Sequence, residues 1–324
     1  MDRNALKNLT HNAKDFLRVT KGDYKQWVFR YTFLELEKDL FPNGDVTTDS
    51  VVTDGSVEKI GAIEAREDGV VAGIDELKYF LVESDPRFKP RLGNFKVEFF
   101  KKDGDSVVKG DKVIEITGAV KDILAVERIA LNLLMRMSGV ATHTERLVKK
   151  IMDAGLDTLL VPTRKTLWGL LDKKAVTVGG GGTHRLNLSD AILIKDNHLA
   201  VLGGSVSTAI KNASEKALEA RFIEVEVENI EDAMKAAETL ASFVSHKGLE
   251  VPACVMFDNM TPADIEVALG KLKEKGYYDK ILFEASGGVD ESNLLEYAKT
   301  GVDIISMGSL TTSARSLNFS LNVY

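Results

Sequence analysis

Hydrophobic and polar positions change their spacing along the chain, and the first change separates a helical stretch from strands. Residues 14–40 carry apolar side chains at helical intervals and end at the turn signal Phe41-Pro42-Asn43-Gly44. Residues 57–73 and 95–118 alternate apolar and polar positions, with a turn signal at Asp103-Gly104. These patterns predict helices packed on a small, mainly antiparallel sheet.

A long amphipathic segment follows this first part, from Ile123 to about Asp153. Its apolar residues recur at the interval of a helix. The pair Ser138-Gly139 lies near its middle and favours two helices with an interruption between them.

Short β-rich apolar runs recur beyond this segment, and several of them are followed by helical stretches. We expect strands in the runs 156–162, 175–180, 191–197, 222–229, 253–259, 280–288 and 303–309. Strands that alternate with helices predict parallel β/α units. Seven such runs favour an α/β barrel, with an open doubly wound sheet as the alternative.

Length and charge narrow the class of protein. The 324 residues suggest about two domains. With 42 Lys and Arg against 49 Asp and Glu, the net charge of −7 disfavours a nucleic-acid partner. A single cysteine, Cys254, excludes a disulfide framework and is expected to be buried. No apolar run is long enough for a membrane span, and the charged N-terminus is unlike a signal peptide, so we expect a cytoplasmic protein without membrane partners.

Candidate chemistry is expected at the carboxyl edges of the predicted strands, where barrel enzymes carry their sites. The first three edges carry cations: Arg164, Lys165, His184, Arg185 and Lys195. The fourth and fifth edges carry carboxylates: Glu224, Glu226, Glu228 and Asp258. The sixth and seventh edges carry small-residue turns: Ser286-Gly287-Gly288 and Gly308-Ser309.

This order indicates a site for an anionic substrate. Arginine side chains bind carboxylates or phosphates, paired carboxylates suit Mg²⁺, and glycine turns bind phosphate through backbone N–H groups. The alternative for each cation is a solvated surface charge. Glu224, Glu226 and Glu228 alternate with valines and share one face, which we expect to point into the barrel. We interpret His11, His143 and His246 as surface or packing residues.

Seven ordered motifs resemble the quinolinate phosphoribosyltransferase family, also called the carboxylating nicotinate-nucleotide pyrophosphorylases. The resemblance runs from about Asp45 to Leu321. It is carried by Glu127-Arg128 with Leu131-Asn132 and Ser138 to Thr142, Thr163 to Thr166, Gly180 to Arg185, Ile194 to His198, Glu224 to Asn229, Phe257 to Asn259, and Glu284 to Gly288.

The resemblance implies a fold and an assembly. The fold is an N-terminal α+β domain, residues 1–130, and an incomplete α/β barrel of about seven strands, residues 131–311. A C-terminal segment, residues 312–324, returns to the first domain. The assembly is a homodimer or a higher homo-oligomer, in which the first domain of one subunit covers the barrel of another.

The resemblance also implies an enzyme of NAD biosynthesis. The reaction converts quinolinate and phosphoribosyl pyrophosphate to nicotinate mononucleotide, pyrophosphate and CO₂, with Mg²⁺. By position, Arg164, His184, Arg185 and Lys195 would bind the quinolinate carboxylates, Lys165 would lie at the junction with the phosphoribosyl group, and Arg128 would come from the partner subunit.

The resemblance implies that the remaining matched residues bind the phosphoribosyl group. Glu226 and Asp258 would face the ribose and hold Mg²⁺, and together with Lys165 they are the predicted catalytic residues. The 5′-phosphate would bind at Ser286, Gly287, Gly288, Gly308 and Ser309.

One departure from the family pattern bears on the acceptor. Trp168 stands where the family has a proline, and the arginine that follows in the family is absent. A phosphoribosyltransferase acting on another aromatic acid is therefore an alternative. A barrel lyase that forms a Schiff base at Lys165 or Lys195, and a binder without turnover, are two more. The chain is also longer than usual at its N-terminus and around 241–252.

Overall fold

The computed structural model describes residues 2–83, 93–215, 220–246 and 251–324. The chain forms two compact units. The β/α unit comprises residues 1–13, 146–166 and 181–312, and the antiparallel unit comprises residues 14–145, 167–180 and 313–324. The units interleave in sequence, because residues 1–13 belong with the β/α unit and residues 167–180 with the antiparallel unit.

The antiparallel unit is built on a four-stranded sheet. Its strands are β1 (Glu58–Ala65), β3 (Lys96–Phe99), β5 (Lys112–Ala119) and β12 (Phe319–Val323), in the order β12-β1-β5-β3. The short strands β2 (Gly69–Val70) and β4 (Ser106–Val107) form a separate pair. The predicted strands of residues 57–73 and 95–118 are confirmed. In the C-terminal segment, β12 pairs antiparallel with β1 of this sheet.

The antiparallel unit also contains helices, as the spacing of residues 14–40 predicts. They are Gly22–Tyr31, Phe33–Leu40, Val46–Val51, Ile74–Lys78 and Leu170–Val178, with a 3₁₀ turn at Lys14–Phe16 and a π-helical turn at Tyr79–Glu83.

The expected break at Ser138-Gly139 is wrong, because one continuous helix runs over Val120–Asp153. The glycine serves a different purpose. A Cβ at Gly139 would lie 2.7 Å from the Cα atom of Ser316 and against the carbonyl oxygen of Arg315. The glycine therefore permits close contact between the helix and the C-terminal segment.

The β/α unit contains a parallel sheet of six strands in the order β6-β11-β10-β9-β8-β7. They are β6 (Leu159–Pro162), β7 (Ile192–Ile194), β8 (Ile223–Val227), β9 (Ala253–Asp258), β10 (Leu282–Ser286) and β11 (Ile304–Met307). Val161, Cys254, Leu282 and Ile304 form a fully buried apolar cluster. This sheet with its helices is consistent with the expected incomplete α/β barrel.

Helices accompany these strands: Arg3–His11 precedes β6, Ser309–Thr312 follows β11, and the others lie between strands along the chain. The helices are Arg3–His11, Asp196–Val201, Val206–Ser214, Ile230–His246, Pro262–Glu274, Leu294–Lys299 and Ser309–Thr312, with a 3₁₀ turn at Tyr278–Lys280. Part of the expected insertion around 241–252, residues 247–250, and the side chain of His246 lie outside the described residues.

The strand predicted at 175–180 is wrong, because these residues end the helix Leu170–Val178. Leu170, Leu171, Ala175 and Val176 recur at helical spacing and are buried. Residues 175–180 include only the β-branched end of this helix, Val176-Thr177-Val178, and such residues are typical of strands. The sheet therefore has six strands in the part of the chain that the structure describes.

None of the described helices combines the length and the apolar character that crossing a bilayer requires.

A buried polar cluster lies inside the antiparallel unit. The Tyr24 hydroxyl donates to Glu76 Oε1 at 2.5 Å, and Asp103 Oδ1 accepts the N–H groups of Gly73 and Ile74 at 2.9 and 2.8 Å. Burial, and then the charge of Asp103, raise the pKa of Glu76 to about 8. Glu76 is thus protonated in the native state at pH values where it ionises in the unfolded chain.

This cluster predicts a pH-dependent stability. A carboxyl group in the unfolded chain titrates near pH 4.5, so the free energy of unfolding falls as the pH rises from about 4.5 to about 8. In thermal unfolding, Glu76→Gln is expected to melt a few degrees above the wild type at pH 8 and close to it at pH 5. The exposed substitution Glu58→Gln is the control. Equal pH dependence in Glu76→Gln and the wild type would contradict the assignment.

Candidate active site

The carboxyl ends of the barrel strands surround a cavity of about 640 Å³. Most residues predicted from the sequence line it: Arg164, Lys165, His184, Arg185, Lys195, Glu226, Asp258, Ser286, Gly287, Gly288 and Gly308. The structure therefore brings together side chains that are up to 144 positions apart, from Arg164 to Gly308. Two predicted residues do not line it. The Ser309 hydroxyl is buried, and Arg128 is exposed on the helix Val120–Asp153.

Three cationic side chains of the cavity lack an ion-pair partner among the described residues. Arg164 and Lys165 follow β6 and are exposed, and Arg185 is 7 % exposed with no hydrogen-bond partner at its Nε. Burial and the neighbouring Arg164 lower the pKa of Arg185. Arg164, Lys165 and Arg185 form no ion pair with any carboxylate of the described residues. The cavity is therefore suited to an anion, because three positive side chains line it and none of them is paired with a carboxylate of the described residues.

The fourth cation is paired across the cavity. Lys195 Nζ lies 2.5 Å from Glu226 Oε1, so the end of β7 is connected to β8. Burial raises the pKa of Glu226; Lys195 opposes this shift and Asp258 adds to it. The influence of Asp258 shows that the two predicted metal ligands are close enough to interact.

The three glutamates of β8 share one face, as the alternation predicts. Glu226 and Glu228 line the cavity, whereas Glu224 lies deeper in the strand and is fully buried. This face points into the barrel, in agreement with the expectation.

Backbone conformation shapes the turn after β10. Gly287 and Gly288 adopt φ angles of +79° and +65°. Asn259, after β9, donates its N–H to the Ser286 carbonyl oxygen at 2.9 Å and approaches Gly287 so closely that a Cβ there would lie 2.7 Å from the Asn259 nitrogen. At Gly288 nothing lies within 4 Å of such a Cβ.

The interpretation of His11 as a surface or packing residue is incomplete: the ring packs on Phe222, with centroids 4.6 Å apart, and it also faces two carboxylates. Its side chain is fully buried, and its Nε2 lies 3.2 Å from Glu284 Oε2 and 3.9 Å from Glu224 Oε1. His184 Nε2 lies 3.1 Å from Glu224 Oε2 and 3.5 Å from Glu284 Oε1. The two imidazoles meet edge to face, with centroids 5.0 Å apart. We call these four residues the floor cluster; of its members, only His184 also lines the cavity.

The geometry of the floor cluster places a ring proton of His184 on Nε2. Burial lowers the pKa of His184, but Glu284 and Glu224 more than offset this effect and raise the pKa to about 9. Nδ1 accepts the N–H of Arg185 at 2.6 Å, which a second ring proton would oppose. The Nε2 proton faces the carboxylates in either charge state, but Nδ1 accepts the Arg185 N–H only while the ring is neutral.

The sequence indicates indirectly that a buried partner such as His11 is needed. Glu224 and Glu284 lie in apolar strands, where an ionised carboxylate needs a positive or hydrogen-bonding partner. His184 alone serves two such carboxylates, so a second donor is required. The pattern does not say which residue supplies it.

The Trp168 departure has a structural explanation within the antiparallel unit. Trp168 stacks on Tyr31 with centroids 4.7 Å apart and does not line the cavity. The N–H groups of Leu167 and Trp168 donate to Asp172 Oδ2 at 2.8 and 2.9 Å. Arg136 binds the same carboxylate at 2.8 and 2.9 Å, which fixes the loop.

The two glycines after β10 predict a difference in stability. Both substitutions to alanine force a side chain into the left-handed region at about 1 kcal/mol, but only Gly287→Ala also clashes with Asn259. We expect Gly287→Ala to lower the free energy of unfolding by about 1–3 kcal/mol more than Gly288→Ala. Denaturant unfolding measures both, and equal losses would show that the close approach of Asn259 is absent.

Comparisons with known proteins agree with this geometry. Family models of the quinolinate phosphoribosyl transferase N-terminal and C-terminal domains match residues 45–138 and 140–322. The chain is 41 % identical over 284 residues to a probable nicotinate-nucleotide pyrophosphorylase [carboxylating] of Methanocaldococcus jannaschii, covering 86 % of this chain and 92 % of that protein. A protein of the same description from Methanothermobacter thermautotrophicus is 36 % identical over 281 residues, covering 86 % and 93 %.

A solved structure gives the same result. The nicotinate-nucleotide pyrophosphorylase from Francisella tularensis superposes with a TM-score of 0.75 at 30 % identity, over 92 % of this chain and 96 % of that one.

Proposed function

The chain belongs to the quinolinate phosphoribosyl transferase family, and from this premise we propose how its cavity works. The enzyme is a carboxylating nicotinate-nucleotide pyrophosphorylase of NAD biosynthesis. It converts quinolinate and phosphoribosyl pyrophosphate to nicotinate mononucleotide, pyrophosphate and CO₂.

The cations without an ion-pair partner are the observation that carries the assignment of the cavity. Quinolinate has two carboxylates on adjacent ring carbons, and binding it beside a pyrophosphate requires several fixed positive charges. Arg164, Arg185 and Lys195 bind these carboxylates in our proposal. His184, which the resemblance also places here, supports Arg185 from below, because its Nε2 faces Glu224 and Glu284 and its Nδ1 accepts the Arg185 N–H. Arg164 and Arg185 form no ion pair among the described residues, and Lys195 exchanges Glu226 for the substrate.

The phosphoribosyl group occupies the other half of the cavity. Lys165 lies at the junction between the two substrates. The turns at Ser286-Gly287-Gly288 and Gly308-Ser309 receive the 5′-phosphate through backbone N–H groups, as such turns do in barrels. Ser309 contributes through its backbone in this proposal, since its hydroxyl is buried.

Glu226 and Asp258 fit a Mg²⁺ ion. Both are carboxylates at neighbouring strand ends in the same cavity, and Asp258 raises the pKa of Glu226, which shows that their charges repel without a cation. When bound there, Mg²⁺ would neutralise charge on the leaving pyrophosphate.

The residues of the chain account for both chemical steps. The quinolinate ring nitrogen attacks the ribose carbon as its bond to pyrophosphate breaks, and Glu226 and Asp258 stabilise the positive charge that develops on the sugar. The product ring nitrogen is then cationic. It accepts the electron pair of the adjacent carbon–carboxylate bond as CO₂ leaves, and that ring carbon takes up a proton. No organic cofactor is needed.

A homodimer or higher homo-oligomer completes the site in our proposal. Arg128 is exposed and does not line the cavity of its own chain. Its placement suits a role in which the partner subunit's Arg128 reaches the bound quinolinate. A cytoplasmic location stays a prediction from composition.

The activity is tested with two ring acids in parallel. With phosphoribosyl pyrophosphate and Mg²⁺, quinolinate labelled in the carboxylate next to the ring nitrogen is expected to release labelled CO₂ and yield nicotinate mononucleotide, while nicotinate yields little product. Turnover of nicotinate or another ring acid without turnover of quinolinate would instead support the substrate-shifted enzyme. Borohydride trapping at Lys165 or Lys195 would indicate the lyase.

Substitution of Glu226 is expected to slow the chemical step far more than it weakens quinolinate binding. Glu226→Gln removes a charge that faces the developing sugar cation, so kcat is expected to fall at least about a hundredfold. Quinolinate binding should change much less. Calorimetry and steady-state kinetics measure the two effects, with Glu231→Gln, an exposed residue paired with Lys235, as the control. Unchanged kcat in Glu226→Gln would contradict the assignment of this carboxylate.

A further inference from the structure

The N-terminal helix is anchored where the barrel strands begin. Arg3 Nε donates to Asp303 Oδ1 at 2.7 Å, immediately before β11. Lys7 Nζ donates to the carbonyl oxygen of Asp157 at 2.5 Å, two residues before β6. These contacts fix the helix Arg3–His11 at the amino ends of the strands, opposite the cavity mouth.

The residues after this helix join the barrel wall. Gly182 donates its N–H to the Leu160 carbonyl oxygen in β6 at 2.7 Å, and Thr183 donates its N–H to the His11 carbonyl oxygen at 2.6 Å. The Ala13 N–H donates to Thr183 Oγ1 at 3.0 Å. Hydrogen bonds thus run from the edge strand β6 through residues 182–183 to the N-terminal segment. A Cβ at Gly182 would collide with the His11 carbonyl oxygen, so glycine is required there.

A second connection runs towards the opposite side of the sheet. Arg221, just before β8, donates to the carbonyl oxygens of Thr10 and His184 and forms a bidentate pair with Asp190. The Arg221 guanidinium therefore holds two backbone carbonyl groups, that of Thr10, which precedes His11, and that of His184 itself. Both imidazoles are held in register below the cavity.

Charge balance in the floor cluster depends on His11. Glu224 and Glu284 are fully buried, and each has both imidazoles within 3.9 Å. Without His11, both carboxylates would compete for the single Nε2–H of His184. The ring would then rotate towards one of them, and the Arg185 backbone that donates to its Nδ1 would move with it.

We propose that His11 is a positioning residue for the aromatic acid: by sharing Glu224 and Glu284 with His184, it holds His184 and Arg185 in the geometry that binds the substrate carboxylates. The inference rests on the proposed function, because it takes Arg185 as a quinolinate ligand. His11 lies outside residues 45–322, which the family models match.

A metal ion is the other occupant that two imidazoles and two carboxylates suggest, since the four ligand atoms lie within 4.8 Å of one another. Coordination through His184 Nε2 would require the ring proton on Nδ1. That position already accepts the Arg185 N–H at 2.6 Å, so the geometry favours protons over a metal.

Two substitutions of His11 test the proposal in the full-length protein. His11→Phe keeps an aromatic ring and removes the donor, and is expected to raise KM for quinolinate about tenfold to a hundredfold while KM for phosphoribosyl pyrophosphate changes little. His11→Gln returns an amide donor to Glu284 and is expected to recover part of the loss.

Lys7→Met is the matched control, because it loosens the same helix without touching the floor cluster. If His11 only stabilises the fold, Lys7→Met and His11→Phe will lose activity in proportion to their loss of melting temperature, with no selective effect on quinolinate. That result would overturn the proposal, as would wild-type kinetics in both His11 variants.

An imidazole ¹⁵N spectrum provides a readout that does not require turnover. Above about pH 9, where the His184 ring is neutral, the wild type is expected to show a proton on Nε2 and an acceptor Nδ1. His11→Gln, the milder variant should His11→Phe not fold, is expected to shift both signals. This result would stand even if quinolinate were not the substrate. An unshifted His184 signal, or one equivalent of bound metal in the wild type that His11→Gln loses, would overturn the proposal.

Discussion

Two carboxylates at the centre of the barrel constrain the site above them. Glu224 and Glu284 are fully buried among apolar strands, where an unpaired charge is costly to hold. Each lies beside two imidazoles, one from the end of the helix Arg3–His11 and one from the loop that precedes β7. The two carboxylates thus determine the position of His184. His184 in turn accepts the N–H of Arg185, a cation of the cavity.

Charge is arranged in layers along the barrel axis as a consequence. The floor cluster places each of its carboxylates beside imidazoles, whereas the cavity above it holds cations without ion-pair partners on one side and carboxylates on the other. The first side suits a ring dicarboxylate, and the second suits a sugar that becomes cationic. The chemistry of phosphoribosyl transfer needs both, and the strand order brings them within one cavity of about 640 Å³.

Most of this site was predictable from the sequence, because parallel strands place their carboxyl ends on one edge and the motifs fall at those ends. The errors have local causes. Residues 175–180 were misassigned because the buried stripe of their helix begins at Leu170, and Gly139 suggested a break where it permits close packing. His11 was missed because its partners are 213 and 273 positions away, and only the unbalanced charge of two buried glutamates pointed to it.

The central claim, that the unpaired cations form a site for a pyridine dicarboxylate, is tested most directly by equilibrium binding. Calorimetric titration of the unmodified protein with quinolinate and with nicotinate compares ligands that differ by one carboxylate. The account predicts that quinolinate binds at least about tenfold more tightly, since its second carboxylate meets a fixed cation. Equal affinity for the two acids, or tighter binding of nicotinate, would contradict it.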